Sequence, residues 1–365
     1  MYYALRIALV LTLAAASLIS FRSARADMEF RQRTPEAVAR AVALEPGNTE
    51  YLNLRALQLD YEGADSTALL ERAVELNPLS SAPRIRLGLA AETRGDFANA
   101  EKWLLDAARV DRQFEPRWTL ANFYFRRDDS ANFWTWMHQA LEISYPDRSP
   151  AFDLCWRRSD DPEEIWRRAI PEQHEVIAAY LSYLLETRRP GAVAGAAMKL
   201  AAARDPGDRD LLIAACDSLI GAHLSDAAWT LWLAAGFKDV SFESPQIGRG
   251  FDWQRVESAG VVHLEISQPR SMHRITLNGN QAESCELLRR VLRLTPGRRY
   301  TLRWQAQPEM SGIEWRVGDE HAPLKNHQLD FTAPRELVTL TLAYQRPQGE
   351  VRAEGSLELW EVEVR

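Results

Sequence analysis

The sequence has little of what builds disulfide scaffolds, metal sites or catalytic centres. Its three cysteines, Cys155, Cys216 and Cys285, are too few and too scattered for a disulfide framework or a zinc knuckle, and we assign no disulfide among them. The seven histidines are dispersed, and the His-Glu-x-x-His, Gly-x-Ser-x-Gly, Cys-x-x-Cys and phosphate-binding glycine-loop motifs are absent. We therefore predict a protein that is not an enzyme, with no catalytic residues and no cofactor.

The chain also lacks an excess of positive charge. Its formal net charge is −7 and its pI is about 5.7, although short arginine pairs such as Arg289-Arg290 and Arg298-Arg299 occur. A nucleic-acid-binding surface must neutralise many phosphates, which this balance does not favour. We predict no nucleic-acid partner.

Residues 1–26 form a distinct N-terminal segment. An apolar run from Ile7 to Ile19 follows Arg6, and Ala24-x-Ala26 supplies the small residues that signal peptidase requires. A signal peptide is the favoured interpretation, so the protein would be exported to the periplasm or cell envelope. The alternative is an uncleaved anchor that holds the chain in the inner membrane by residues 2–21. Membrane contact is expected only through this segment.

Residues 34–238 alternate helical apolar patterns with turn signals, and some positions recur at a fixed interval. The sequence between residues 81 and 114 combines Leu87-Gly88, Gly95-Asp96, Ala100 and Ala107 in the pattern of a helical hairpin. Later in the chain an interval of 34 residues, the period of a helix-turn-helix repeat, separates four pairs: Leu181 and Ala215, Ala194 and Ala228, Met198 and Trp232, Ala201 and Ala235. The pattern resembles the tetratricopeptide repeat (TPR) and weakens between residues 146 and 173, where we expect a shortened, irregular hairpin.

The TPR resemblance implies a groove lined by the first helix of each hairpin. Such a groove suits an extended peptide or a helix from another protein, here another envelope protein. The alternative for its aromatic residues is packing against a neighbouring repeat. The resemblance places six residues there: Trp118, Asn122, Phe125, Arg126, Tyr183 and Asp217.

Residues 241–365 show short runs of alternating apolar and polar residues separated by turn signals, which predict a β-sandwich or jelly roll. An early Phe242-Glu243, Trp253, a Pro-Gly-x-x-Tyr entry at residues 296–300 and a final strand at residues 357–364 resemble the galactose-binding-like jelly roll of carbohydrate-binding modules. The resemblance implies glycan binding and, as in many members of that family, a structural calcium ion without assigned ligands. Candidate glycan-binding residues, for which core packing is the alternative, are Trp253, His263, Arg303, Gln305, Glu314 and Arg316.

The predicted fold class is therefore multidomain, an N-terminal α-solenoid of TPR-like hairpins followed by a β-sandwich. Bacterial envelope proteins that join such parts are often tied to exopolysaccharide assembly or export. Our leading hypothesis is an exported, non-enzymatic adaptor that binds a protein through the groove. The alternative is a carbohydrate-binding protein whose jelly roll binds polysaccharide and whose solenoid is a spacer.

Overall fold

The structure is a computed structural model that describes residues 2–143, 146–237, 242, 247–266 and 271–365, with side chains from residue 6 onward. It comprises two compact units, Met1–Pro171 and Glu172–Arg365. The predicted boundary between solenoid and sandwich, at residues 238 to 241, lies outside the described residues.

The described residues of the first unit contain ten helices, most of which pack in successive pairs as hairpins. They are α1 (Tyr2–Arg31), α2 (Pro35–Leu44), α3 (Thr49–Tyr61), α4 (Thr67–Leu76), α5 (Ala82–Thr93), α6 (Phe97–Val110), α7 (Phe114–Arg126), α8 (Ser130–Leu141), α9 (Ser149–Arg158) and α10 (Pro162–Ala169).

The hairpin of α5 and α6 shows why this sequence folds as it does. Gly95 turns the chain with φ of +79°, and the Asp96 carboxylate accepts the backbone N–H of Asn99 to cap α6. A Cβ atom at Gly88 would lie 2.7 Å from the side chain of Leu104, so the close approach of the two helices requires glycine. The helices α9 and α10 have 10 and 8 residues, and α10 packs more against α8 than against α9, so the two do not form a regular hairpin.

The second unit starts with four helices: α11 (His174–Glu186), α12 (Pro190–Ala203), α13 (Arg209–Gly221) and α14 (Ser225–Ala234). Their buried positions correct the 34-residue interval, because the equivalent core residues are 35 positions apart: Leu181 with Cys216, and Ala197 with Trp232. Met198, which the 34-residue interval pairs with Trp232, is 36% exposed. A 3-10 turn over Pro206–Asp208 accommodates the extra residue.

Two antiparallel five-stranded sheets complete the second unit. Their strands are β1 (Gln254–Arg255), β2 (Val261–Ile266), β3 (Met272–Asn278), β4 (Ser284–Arg293), β5 (Arg299–Gln307), β6 (Ile313–Val317), β7 (Glu320–Pro323), β8 (Gln328–Thr332), β9 (Leu337–Gln345) and β10 (Glu354–Val364). The first sheet has the order β1-β4-β9-β6-β7 and the second β2-β3-β10-β5-β8. Inward residues of both sheets form one core that includes Trp304, Trp315, Leu342 and Leu359.

The last helical hairpin is docked on this sandwich through residues 247–253, here called the docking loop. Phe251 is 2% exposed and its ring lies edge-on against Trp229 and Trp232, at centroid distances of 5.1 and 5.7 Å. Gly250 has φ of +65°, and a Cβ atom there would lie 2.4 Å from the Trp232 ring. The docking loop therefore covers part of the surface of α13 and α14.

Candidate protein-binding groove

Helix α7 presents four of the predicted groove residues on one side, since residues at i, i+4 and i+7 or i+8 share a helix face. Trp118 is half-buried, and its ring stacks on Phe114 at a centroid distance of 5.9 Å. The Asn122 amide donates to the Trp118 carbonyl oxygen at 2.9 Å. Phe125, also half-buried, lies 5.7 Å from the ring of Phe133. The structure thus places two partly exposed aromatic residues, Trp118 and Phe125, about two turns apart on the same side of α7.

Arg126 is exposed and is bound within the array. Its Nε and Nη2 atoms donate to the two Glu92 carboxylate oxygens of α5, each at 2.7 Å. A second link of this kind joins α5 to α3, where Arg86 donates to the Asn53 carbonyl oxygen at 2.6 Å and pairs with Asp60. These bonds tie successive first helices together and neutralise charge along their shared face. The aromatic residues of α7 are therefore the stronger candidates for contact with a partner.

A cavity of about 470 Å³ opens beside Trp118. Its apolar lining comes from Phe114, Trp118, Ile143 and Pro150, and its acidic lining from Glu115 and Asp147. The combination of an apolar floor with a few polar groups is typical of a site that accepts one anchoring side chain. Sequence reasoning missed Phe114 and this cavity, although the i, i+4 spacing of Phe114 and Trp118 was a usable signal.

Tyr183 and Asp217 belong to the second unit and are used internally. Tyr183 is 4% exposed and stacks on Tyr180 at a centroid distance of 6.4 Å. The Asp217 carboxylate accepts two bonds from the docking loop, from Arg249 Nε at 2.8 Å and the Gly250 N–H at 2.9 Å.

The 35-residue interval explains the position of Tyr183. In that register Asp217 corresponds to Ser182, and Tyr183 lies one position further along α11, on its buried side. The 34-residue interval of the sequence analysis paired Tyr183 with Asp217. A one-residue error rotates a helical position by about 100°, enough to exchange a groove position for a core position.

The candidate glycan residues are spread over the sandwich. Trp253 is 1% exposed and packs edge-on against Phe242 and Trp315, at centroid distances of 5.2 and 5.9 Å. Its ring face is therefore not available for stacking on a sugar. His263 lies half-buried on β2, with its Nδ1 atom 3.3 Å from Nε2 of the buried His273. Burial lowers the pKa of both histidines, that of His273 to about 4.

The four remaining candidates lie on two different sheets. Arg303 and Gln305 alternate with the buried Leu302 and Trp304 on β5, and so face outward from the second sheet. Glu314 and Arg316 face outward from the first sheet on β6, where Arg316 Nε donates to the Glu314 carboxylate at 2.8 Å. Because the outer faces of a sandwich point in opposite directions, these pairs do not share one site.

Two of the three cysteines are buried among apolar side chains. Burial raises the pKa of the Cys155 thiol, and raises that of Cys216 to about 12. Cys285 is partly exposed, and all three are free thiols. Within the described part of the chain, no group of three or more His, Cys, Asp and Glu side chains is arranged to hold a metal ion.

No protein-family model matches this sequence, and no curated protein is significantly similar to it. Among solved structures, YrrB, described as a TPR protein with an unusual peptide-binding site, is 13% identical, with 55% of this chain and 92% of YrrB covered and a TM-score of 0.28. PilF of Pseudomonas aeruginosa is 16% identical, with 51% of this chain and 89% of PilF covered and a TM-score of 0.29. Yeast Tom70 is 15% identical, with 56% of this chain covered and a TM-score of 0.31. The match covers 46% of the Tom70 chain, which is less than half of it. Identities and TM-scores this low describe a likeness in helical architecture and carry no argument about a partner.

Proposed function

We propose that this protein is a non-enzymatic scaffold that binds another protein through the groove at α7. The observation that carries the proposal is the half-buried Trp118 beside its cavity. Tryptophan residues at the rim of a pocket are frequent binding hot spots, because they bury a large apolar area and lose little conformational entropy.

The lining of the cavity suggests the chemistry of the partner. An apolar side chain fits against Phe114 and Trp118, and a neighbouring basic residue complements the carboxylates of Glu115 and Asp147. We infer that the partner supplies a peptide or helix that carries an apolar anchor beside a lysine or arginine. The wider setting we propose is the bacterial cell envelope and, from the resemblance stated above, the assembly or export of exopolysaccharide.

Site-specific photocrosslinking in cells of the native host tests the groove. A benzophenone amino acid is placed at Trp118 and, as the matched control, at Lys102, which is exposed on the second helix α6 of the same unit. We expect a discrete crosslinked protein from position 118 that is absent from position 102. Identical patterns from both positions would contradict the proposed groove. The crosslinked protein is then purified and titrated against wild type and Trp118→Ala, for which we expect at least a tenfold loss of affinity.

The alternative, glycan binding by the sandwich, is supported by the exposed polar pair Arg303 and Gln305 on the outer face of the second sheet. Calorimetric titration of the full chain with cell-surface polysaccharides, with and without calcium, tests it. A heat of binding that is present in the wild-type protein and lost in Arg303→Ala would support the alternative. A flat response across the panel would leave the sandwich with the role of covering the last hairpin.

A further inference from the structure

Helix α1 is a single unbroken helix of 30 residues whose two parts have different surroundings. From Ile7 to Phe21 its large apolar side chains project into solvent, with exposed fractions between 58% and 71%. This part is long and apolar enough to cross a membrane, and the rest of the protein does not bury it.

The C-terminal part of α1 is packed into the first unit. Ala26 is fully buried in a cluster with Ala41 of α2 and Tyr51 of α3. The Phe30 ring lies 4.5 Å from that of Tyr51, and the Ser23 hydroxyl donates to the Glu45 carboxylate. This part of α1 is thus the first helix of the helical array.

The residues packed into the first unit include Ala26, the last residue of the predicted cleavage site Ala24-x-Ala26. Cleavage after Ala26 would remove both Ser23 and Ala26 and leave only residues 27–31 to pair with α2. A helix of five residues is not stable on its own, and it would lack the fully buried Ala26. The folded array therefore uses residues that processing would discard.

We propose that α1 is retained as a membrane anchor and is at the same time the first helix of the array. The occupant of its exposed apolar surface is a lipid bilayer. The 20 residues from Tyr2 to Phe21 span about 30 Å as a helix, which is the thickness of the hydrocarbon core, and the long side chain of Arg6 extends to the nearby interface. Arg22 and Arg25 follow directly and are exposed, at the level where lipid phosphates would lie. Because the helix is unbroken, the array begins at the membrane surface without a flexible linker.

The test uses the full chain expressed in bacteria, with a carbonate wash of the membranes and intact-mass measurement of the product. We expect the protein in the washed membranes, soluble only in detergent, with a mass that includes residues 1–26. A soluble product that begins at Asp27 would overturn the proposal. A soluble full-length oligomer would also overturn it, because a second copy of the chain would then cover the apolar surface.

Two variants test whether the apolar surface of α1 is responsible for binding to the membrane. Leu11→Arg combined with Leu13→Arg changes side chains that are 65% and 58% exposed and make no core contacts, and should lower the ratio of membrane-bound to soluble protein at least tenfold. Leu79→Arg, at a residue 77% exposed outside α1, is the matched control and should leave the ratio unchanged. Equal ratios for the two variants would contradict the proposal. The intact mass of the wild-type chain remains decisive if the double variant is degraded.

Discussion

The first helix of one hairpin, α7, and the second helix of another, α14, carry large aromatic residues with different exposure. On α7, Trp118 and Phe125 are partly open to solvent, whereas on α14 Trp232 is 1% exposed beneath Phe251 of the docking loop. Arg126 of α7 pairs within the helical array, and Asp217 of α13 binds the docking loop. The comparison shows that the docking loop covers the aromatic residue of α14, whereas those of α7 remain partly open to solvent.

The largest effect should come from removing the aromatic residue that docks the sandwich. Phe251→Ala leaves a cavity beside Trp229 and Trp232, and we expect it to lower the free energy of unfolding by about 3–4 kcal/mol. Urea unfolding followed by tryptophan fluorescence measures the change. Leu79→Ala, at an exposed position, is the control and should change stability by less than about 0.5 kcal/mol. Equal effects would show that the loop is not docked.

Tyr183→Ala and Trp118→Ala sharpen the distinction between core and groove. Tyr183 is 4% exposed, so its truncation should cost about 2–3 kcal/mol, whereas truncation of the half-buried Trp118 should cost about 1 kcal/mol. In the crosslinking and titration assays Trp118→Ala should have the larger effect, because only Trp118 lies at the proposed groove. Loss of binding in Tyr183→Ala at unchanged stability would contradict the assignment.

A smaller difference is expected between two polar links. Asp217→Ala leaves the Gly250 N–H and the Arg249 guanidinium without their acceptor and should cost about 1–2 kcal/mol. Glu92→Ala breaks its pair with Arg126, whose side chain is 46% exposed, and should cost less than about 1 kcal/mol because solvent screens that pair. Thermal unfolding of both variants tests this order.

The last expected effect is a dependence of stability on pH in the second unit. The folded-state pKa of His273 is lowered from 6.5 to about 4, first by burial and then by the neighbouring His263 and Arg255. As the pH falls below 6.5 the unfolded chain binds a proton that the folded chain does not, so stability falls between pH 6.5 and 4. We expect a loss of about 1 kcal/mol at pH 5.5 relative to pH 7.5.

His273→Asn isolates this contribution. Asp252, whose pKa is raised by burial, acts in the opposite sense and is present in both proteins, so it cancels in the comparison. The variant should lose about 1 kcal/mol less than wild type when the pH is lowered from 7.5 to 5.5. An equal loss in both proteins would assign the acid sensitivity elsewhere. The first unit contains a single histidine, His138, whose side chain is 39% exposed.

Much of the secondary structure could be predicted from the sequence. The alternation of residues predicts strands over residues 261–266, 273–277, 299–305, 312–317, 337–344 and 356–364, and each of these runs overlaps an observed strand. Strand β4 was missed because a bulge between Glu286 and Leu288 buries Leu287 and Leu288 in succession, which breaks the alternation. The strands β1, β7 and β8 have two, four and five residues, too few for a clear pattern.

The candidate site could be predicted only in part. Residues Trp118, Asn122, Phe125 and Arg126 follow from the helical period of α7, since local spacing decides which residues share a face. The burial of Tyr183 and the docking of Asp217 did not follow, because both depend on residues distant in sequence. The alternation of Trp315 with Ile313 and Val317 favours the core, and the structure buries Trp315, whereas the burial of the glycan candidate Trp253 did not follow from such a pattern.

Helical hairpins with small residues at their crossings, followed by a set of short strands, can be read from the amino-acid sequence, because helix and strand periods, caps and glycine turns act over a few residues. The apolar N-terminal helix can be read in the same way. The burial of Ala26 in the core, the docking of residues 247–253 on α13 and α14, and the 35-residue interval of the last repeat became visible only in the folded protein. Those features depend on contacts between segments far apart in the chain, and such contacts form only when the whole chain is packed.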